Sequence, residues 1–124
     1  MSYYWDKQCE ATELIGKTII LIEGMGKESD SIKFHTSDGD VYQMYHEQDC
    51  CESVWLEDVS GNPKDLIDTP ILNVDVKTNE GSNDWGSTTY TYYTIATIKG
   101  YVDLRWYGES NGYYSESVDF IKNP

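Results

Sequence analysis

The sequence predicts a mainly β fold, with α+β as the alternative: a twisted antiparallel sheet of about seven or eight strands, curled into a half-barrel or sandwich, with one or two short helices. Three features of the chain carry that expectation. Short runs rich in Val, Ile, Thr and Tyr recur along it, clusters of Gly, Asn, Asp and Ser separate them, and the helical signals are single turns. A length of 124 residues matches one domain, 1–124, because a second independent core would not fit.

The elements follow in order. Residues Met1 to Ile15 read as an irregular start with one helical turn over Thr12–Ile15, stopped by Gly16. Thr18 to Ile22 is β-branched and apolar without alternation, which predicts a central strand ended by Gly24 and Gly26. Ser31–Thr36 and Asp40–His46 alternate around Ser37-Asp38-Gly39, a turn sequence, and so predict a hairpin. Ser53–Val59 predicts a strand with neither face cleanly apolar. Asn62 before Pro63 gives a cap residue and then proline at the first helical position, so one short turn follows. Pro70–Val76 alternates as a strand, and Thr78–Ser87, made of Asn, Gly, Ser and Asp, reads as a mobile loop. Thr88–Ile98 and Tyr101–Tyr107 are strands joined through Lys99-Gly100. Asn111-Gly112 predicts a second hairpin, with Tyr113–Ile121 as the returning strand.

Charge sets the expected partners. Nine Lys and Arg against 22 Asp and Glu leave a formal net charge of −13, so direct binding to a nucleic acid backbone is disfavoured. From Phe34 to Pro63 there is no Lys or Arg, while Asp38, Asp40, Glu47, Asp49, Glu52, Glu57 and Asp58 make this the expected acidic pole and a candidate surface for a basic partner. A solvated face that keeps the protein soluble explains the same residues. No apolar run approaches the roughly 18 residues that cross a bilayer, and no basic, apolar leader opens the chain, which predicts a cytoplasmic protein without membrane contact. Three cysteines, Cys9, Cys50 and Cys51, do not form a secreted disulfide framework, and reduced thiols are expected.

Candidate chemistry is sparse. His46-Glu47-Gln48-Asp49-Cys50-Cys51-Glu52 gathers metal-ligating types, but structural zinc sites draw on paired CxxC or HxxxH ligands, and adjacent cysteines of an extended chain point apart. No metal, cofactor or catalytic residue is therefore assigned. His35 and His46 are the only histidines available to a triad, and no Gly-x-Ser-x-Gly elbow or phosphate-cradling glycine loop is present. The reading is a protein that is not an enzyme.

The second marked segment is Arg105 to Ser115, where rings flank a turn. Trp106 is expected to face the core and Tyr107 the opposite side, so that Tyr107, Tyr113 and Tyr114 form a candidate contact patch extended by Tyr90, Tyr92 and Tyr93. Cross-strand ring pairs that only stabilise the hairpin account for the same pattern.

Tyr45-His46-Glu47-Gln48-Asp49-Cys50-Cys51-Glu52-Ser53-Val54 and Gly100 through Val118, with its core Arg105-Trp106-Tyr107-Gly108-Glu109-Ser110-Asn111-Gly112-Tyr113-Tyr114-Ser115, resemble an uncharacterised family of small phage and prophage proteins. The likeness runs from about Leu14 to Phe120. It implies a setting, a bacterial host cell, and no activity. Small acidic proteins in that setting are often antagonists of bacterial defence, some of which imitate nucleic acid. The expected function is a non-enzymatic, anti-CRISPR-like inhibitor whose acidic surface blocks a basic, nucleic-acid-binding bacterial protein such as a CRISPR effector. The alternative is an accessory module binding a small molecule or peptide in a pocket lined by Trp106, Tyr107 and the Asp49–Glu52 turn. A homo-oligomer is compatible with either.

Overall fold

Eight strands form two four-stranded antiparallel sheets in a computed structural model that describes residues 8–124. The opening segment Met1 to Lys7 lies outside the described residues. The first sheet has the order β1 (Ile19–Glu23), β2 (Ser31–Thr36), β3 (Val41–Tyr45), β8 (Asp119–Lys122); the second has β4 (Ser53–Ser60), β7 (Gly100–Ser110), β6 (Ser87–Thr97), β5 (Asn73–Ser82). Two single 3₁₀ turns, Ala11–Leu14 and Pro63–Leu66, complete the elements, so the mainly β expectation holds. The second turn starts as its sequence directs, with the Asn62 side chain accepting from the Lys64 amide ahead of Pro63.

Strict alternation builds the core. On β2 and β3, Ile32, Phe34, Tyr42 and Met44 are fully buried, and on β7 so are Val102, Leu104 and Trp106 within about one per cent. Trp106 joins the sheets directly: its indole N–H donates to Met44 Sδ at 3.2 Å. The margins are closed by backbone hydrogen bonds from Leu56 to Ser29 and from Asp68 to Ile19. Covering an edge in this way removes unpaired groups that would template association.

Three expectations need correction. Strand β1 is an edge strand, not a central one: a bulge follows Ile19, and only Ile19 turns fully inward while Ile20 and Leu21 are 52% and 51% exposed. Its apolar character reflects β propensity, not burial on both faces. Thr78–Ser82 is not loop but the continuation of β5, paired residue for residue with β6 from Thr91 to Ser87. Polar residues are tolerated there because one face of an edge strand is solvated, and the turn contracts to Asn83–Gly86, where Asn83 Oδ1 accepts from the amides of Trp85 and Gly86.

The Asn111-Gly112 hairpin does not form. Gly112 has the expected positive φ of 96°, but the chain leaves β7 at Ser110 and crosses over to pair β8 with β3 in the other sheet. The Asn111 side chain is spent locally on the Tyr113 amide. Side-chain anchors then replace a ladder: Glu116 turns inward to accept from the hydroxyls of Thr89, Ser87 and Ser110, and the Ser117 carbonyl is held by His46.

Candidate functional site: an aromatic face in an acidic setting

On the outer face of the second sheet, alternation sends Trp55, Tyr107 and Tyr90 outward from three neighbouring strands, and the register makes Trp55 oppose Tyr107 and Tyr107 oppose Tyr90. Their ring centroids are 5.1 Å apart at each step, edge-on between Trp55 and Tyr107 and tilted between Tyr107 and Tyr90. Tyr92 continues the series along β6, stacked 6.0 Å from Tyr90 and 36% exposed. Such spacing suits attractive ring pairs, so the rings brace one another as a semi-rigid platform.

Polar groups border it. Tyr107 Oη donates to Glu109 at 3.1 Å, and Arg105 Nε donates to Glu57 at 2.7 Å. Desolvation, helped by Glu109, pushes the Tyr107 phenol up from its ordinary value, so it is a donor at neutral pH. The hydrogen bond to Glu57, ahead of an opposing desolvation, raises the Arg105 guanidinium further. Beside Tyr92 a shallow depression of about 460 Å³ is lined by Asp58, Lys77, Thr94, Asp103 and Arg105 among others, with the Thr94 hydroxyl donating to Asp103.

The seven carboxylates of the acidic segment do not form one pole. Asp38 and Asp40 sit in the β2–β3 turn, Glu47 and Asp49 in the loop at the other end of β3, and Glu57 and Asp58 on β4. Asp38 is lowered to about 2, first by the Lys17 ammonium and then by the Thr36 hydroxyl, and Asp40 is lowered chiefly by the Asn123 amide. Asp58 faces Lys27 at 3.8 Å. Glu47, which accepts from Tyr45 Oη at 2.7 Å, and Asp49 are exposed.

Glu52 departs from its expected role as a contact residue. It is 3% exposed, accepts from the amides of Asp49 and Cys50 at 2.9 Å each, and meets His46 Nε2 at 2.6 Å. Burial alone would raise its pKa, but those three donors outweigh burial and bring it down to about 2. His46 Nδ1 faces the Ser117 carbonyl at 2.6 Å, so both contacts are met when the ring donates from both nitrogens. Glu52 and His46 are thus a buried clasp between the β3–β4 loop and the crossover. Sequence spacing hid this, because Ser117 is 71 residues from His46.

The thiols also differ from expectation. Cys50 and Cys51 are joined in a disulfide, since the chain bends over this loop and no longer sends neighbouring side chains to opposite sides. Cys9 is free, and burial pushes its thiol up to about 11, which keeps it protonated. Among the described residues no group of three or more His, Cys, Asp or Glu side chains is placed to hold a metal ion. Among the described residues no helix is long and apolar enough to cross a membrane.

The aromatic residues marked in the sequence separate in space. Tyr107 belongs to the platform, with Tyr90 and Tyr92 beside it, whereas Tyr93 is 3% exposed and faces the core. Tyr113 and Tyr114 form a pair of their own at 5.0 Å beyond the end of β7, with Tyr113 82% exposed. Trp106 is fully buried, so it and Tyr107 lie on opposite faces and do not line one pocket. Trp55 was missed because its place depends on the pairing of β4 with β7, about 50 residues away, which no local pattern reports.

No curated protein and no solved structure matches this chain. A family model does match, over residues 12–120, described as a domain of unknown function, DUF7448. The chain therefore belongs to the DUF7448 family.

Proposed function

We propose that this domain is a non-enzymatic, phage-encoded antagonist of bacterial defence that acts in the host cytoplasm by covering the basic groove of a nucleic-acid-binding protein, a CRISPR effector being the leading class. One observation carries the reading. Pairing every Lys and Arg with a carboxylate would still leave the formal charge of −13 on 124 residues. Carboxylates held on a rigid sheet framework replace phosphates in a groove lined with Lys and Arg and release the same counterions. Asp38, Asp40, Glu47, Asp49, Glu57 and Asp58 are the contact residues in this reading; Glu52 is excluded by its burial. The phage setting rests on the resemblance of the Tyr45–Val54 and Gly100–Val118 segments.

The test is affinity capture from a bacterial lysate at about 50 mM and about 500 mM salt, followed by mobility-shift assays of each captured protein with its nucleic acid. Capture should fail at high salt, and the domain should displace the nucleic acid. Glu47→Lys with Asp49→Lys should weaken both effects without unfolding, since exposed charges contribute little to stability. Capture indifferent to salt and to this charge reversal would refute the reading.

A further inference from the structure

The outer face of the second sheet carries more than charge, and resting on the basic partner proposed above, we infer that the Trp55, Tyr107, Tyr90 and Tyr92 platform is a docking site for an extended, arginine-bearing segment of that partner. Charge complementarity selects the occupant. Around the rings stand five carboxylates, Glu57, Asp58, Asp75, Asp103 and Glu109, against three cations, Lys27, Lys77 and Arg105, of which Arg105 is already bonded to Glu57 and Lys27 faces Asp58. An anionic ligand is repelled, and a neutral one can hydrogen-bond to the carboxylates but lacks the charge attraction that a cation gains.

Geometry then distinguishes arginine from lysine. The guanidinium group is planar and more weakly hydrated than an ammonium, so it stacks on Tyr and Trp faces while donating to a carboxylate beside the ring. Glu109 accepts from the Tyr107 hydroxyl, so one carboxylate stands beside that ring to receive a guanidinium stacked on it. Successive rings are 5.1 to 6.0 Å apart, and an extended segment presents alternate side chains about 6.6 Å apart on one side, so arginines at every second position meet consecutive rings.

The experiment titrates the full chain by calorimetry with three probes: a peptide of alternating Arg and Ser, its Lys and Ser counterpart of equal charge, and a neutral glucan hexasaccharide. The Arg peptide is expected to bind about five- to tenfold more tightly than the Lys peptide. Tyr107→Ala, and independently Tyr92→Ser at the more exposed ring, should reduce the Arg peptide to the affinity of the Lys peptide with folding intact. Glu47→Lys with Asp49→Lys should leave the Arg-over-Lys ratio unchanged. Equal affinity for both peptides, a ratio untouched by both ring variants, or preference for the hexasaccharide each overturns the inference. Equal peptide affinities combined with salt-sensitive capture would remove this site yet leave the antagonist reading standing. A retained Arg preference combined with capture that ignores charge reversal would do the opposite.

Discussion

The inside and the outside of this domain use the same residue types for opposite ends. Trp106 and Tyr107 are neighbours in sequence, yet Trp106 is fully buried and bonded to Met44 in the facing sheet, while Tyr107 lies half-buried among rings on the outer face. Glu52 and Glu47 stand five positions apart, and one is locked by two amides and His46 while the other is exposed. Cys9 packs against the core, whereas Cys50 and Cys51 are exposed and bonded to one another. The comparison teaches that environment, not residue type, separates architecture from contact surface here, because a buried polar atom needs a fixed partner and an exposed one does not.

The sharpest break of that comparison is expected at the ring pair on β7. Trp106→Ala should cost about 3–5 kcal/mol in denaturant unfolding, since it empties the centre of the core and unpairs Met44, while Tyr107→Ala should cost about 1 kcal/mol or less. Similar losses from the two variants would show that the outer rings are structural rather than a contact surface.

An intermediate effect belongs to the inward carboxylates. Glu52 has its folded pKa depressed from 4.5 to about 2, so its contribution to stability is fully present above about pH 4.5 and is lost as pH falls toward 2. Glu116, lowered by the hydroxyls of Ser110, Ser87 and Thr89 against its own desolvation, acts in the same direction. Thermal melts between pH 7 and pH 2 should therefore fall on the acid side, and Glu52→Gln should lower the melting point at pH 7 and flatten the fall. A Glu52→Gln profile parallel to the wild type would deny the clasp any role in acid stability.

The smallest effect is expected at the exposed cysteines. A disulfide between adjacent residues closes almost no loop in the unfolded chain, so its entropic stabilisation is slight. Cys50→Ser with Cys51→Ser should stay within about 0.5 kcal/mol of the wild type in unfolding titrations. A larger loss would place this turn among the architectural elements, alongside the adjoining Glu52.

Much was legible in the chain before its structure. The mainly β class, the Ser31 to Tyr45 hairpin, the capped turn at Asn62-Pro63, the long β6–β7 pair and the inward face of Trp106 all follow from local preference and period-two alternation, which operate over a few residues. Other features depended on partners that no local pattern names. The sequence Asn111-Gly112 offers a turn, but whether the next segment pairs with β7 or crosses to β3 was decided by Glu116 finding three hydroxyls and by His46 holding Ser117. Thr18 to Ile22 announced a strand and not its position, because an apolar run has equal β propensity at the centre and at the edge of a sheet.

By itself, then, the sequence determined the strand-forming segments, the turn chemistry and an excess of negative charge, since propensity and charge are properties of residues and near neighbours. Only the tertiary structure decided that Trp55, Tyr107, Tyr90 and Tyr92 share one face, that Glu52 leaves the acidic surface for a buried clasp, and that the acidic segment is distributed over both ends of β3 and onto β4. Those outcomes rest on strand order and register, which are fixed by how two whole faces bury each other across the sandwich, and no stretch of chain carries that information alone.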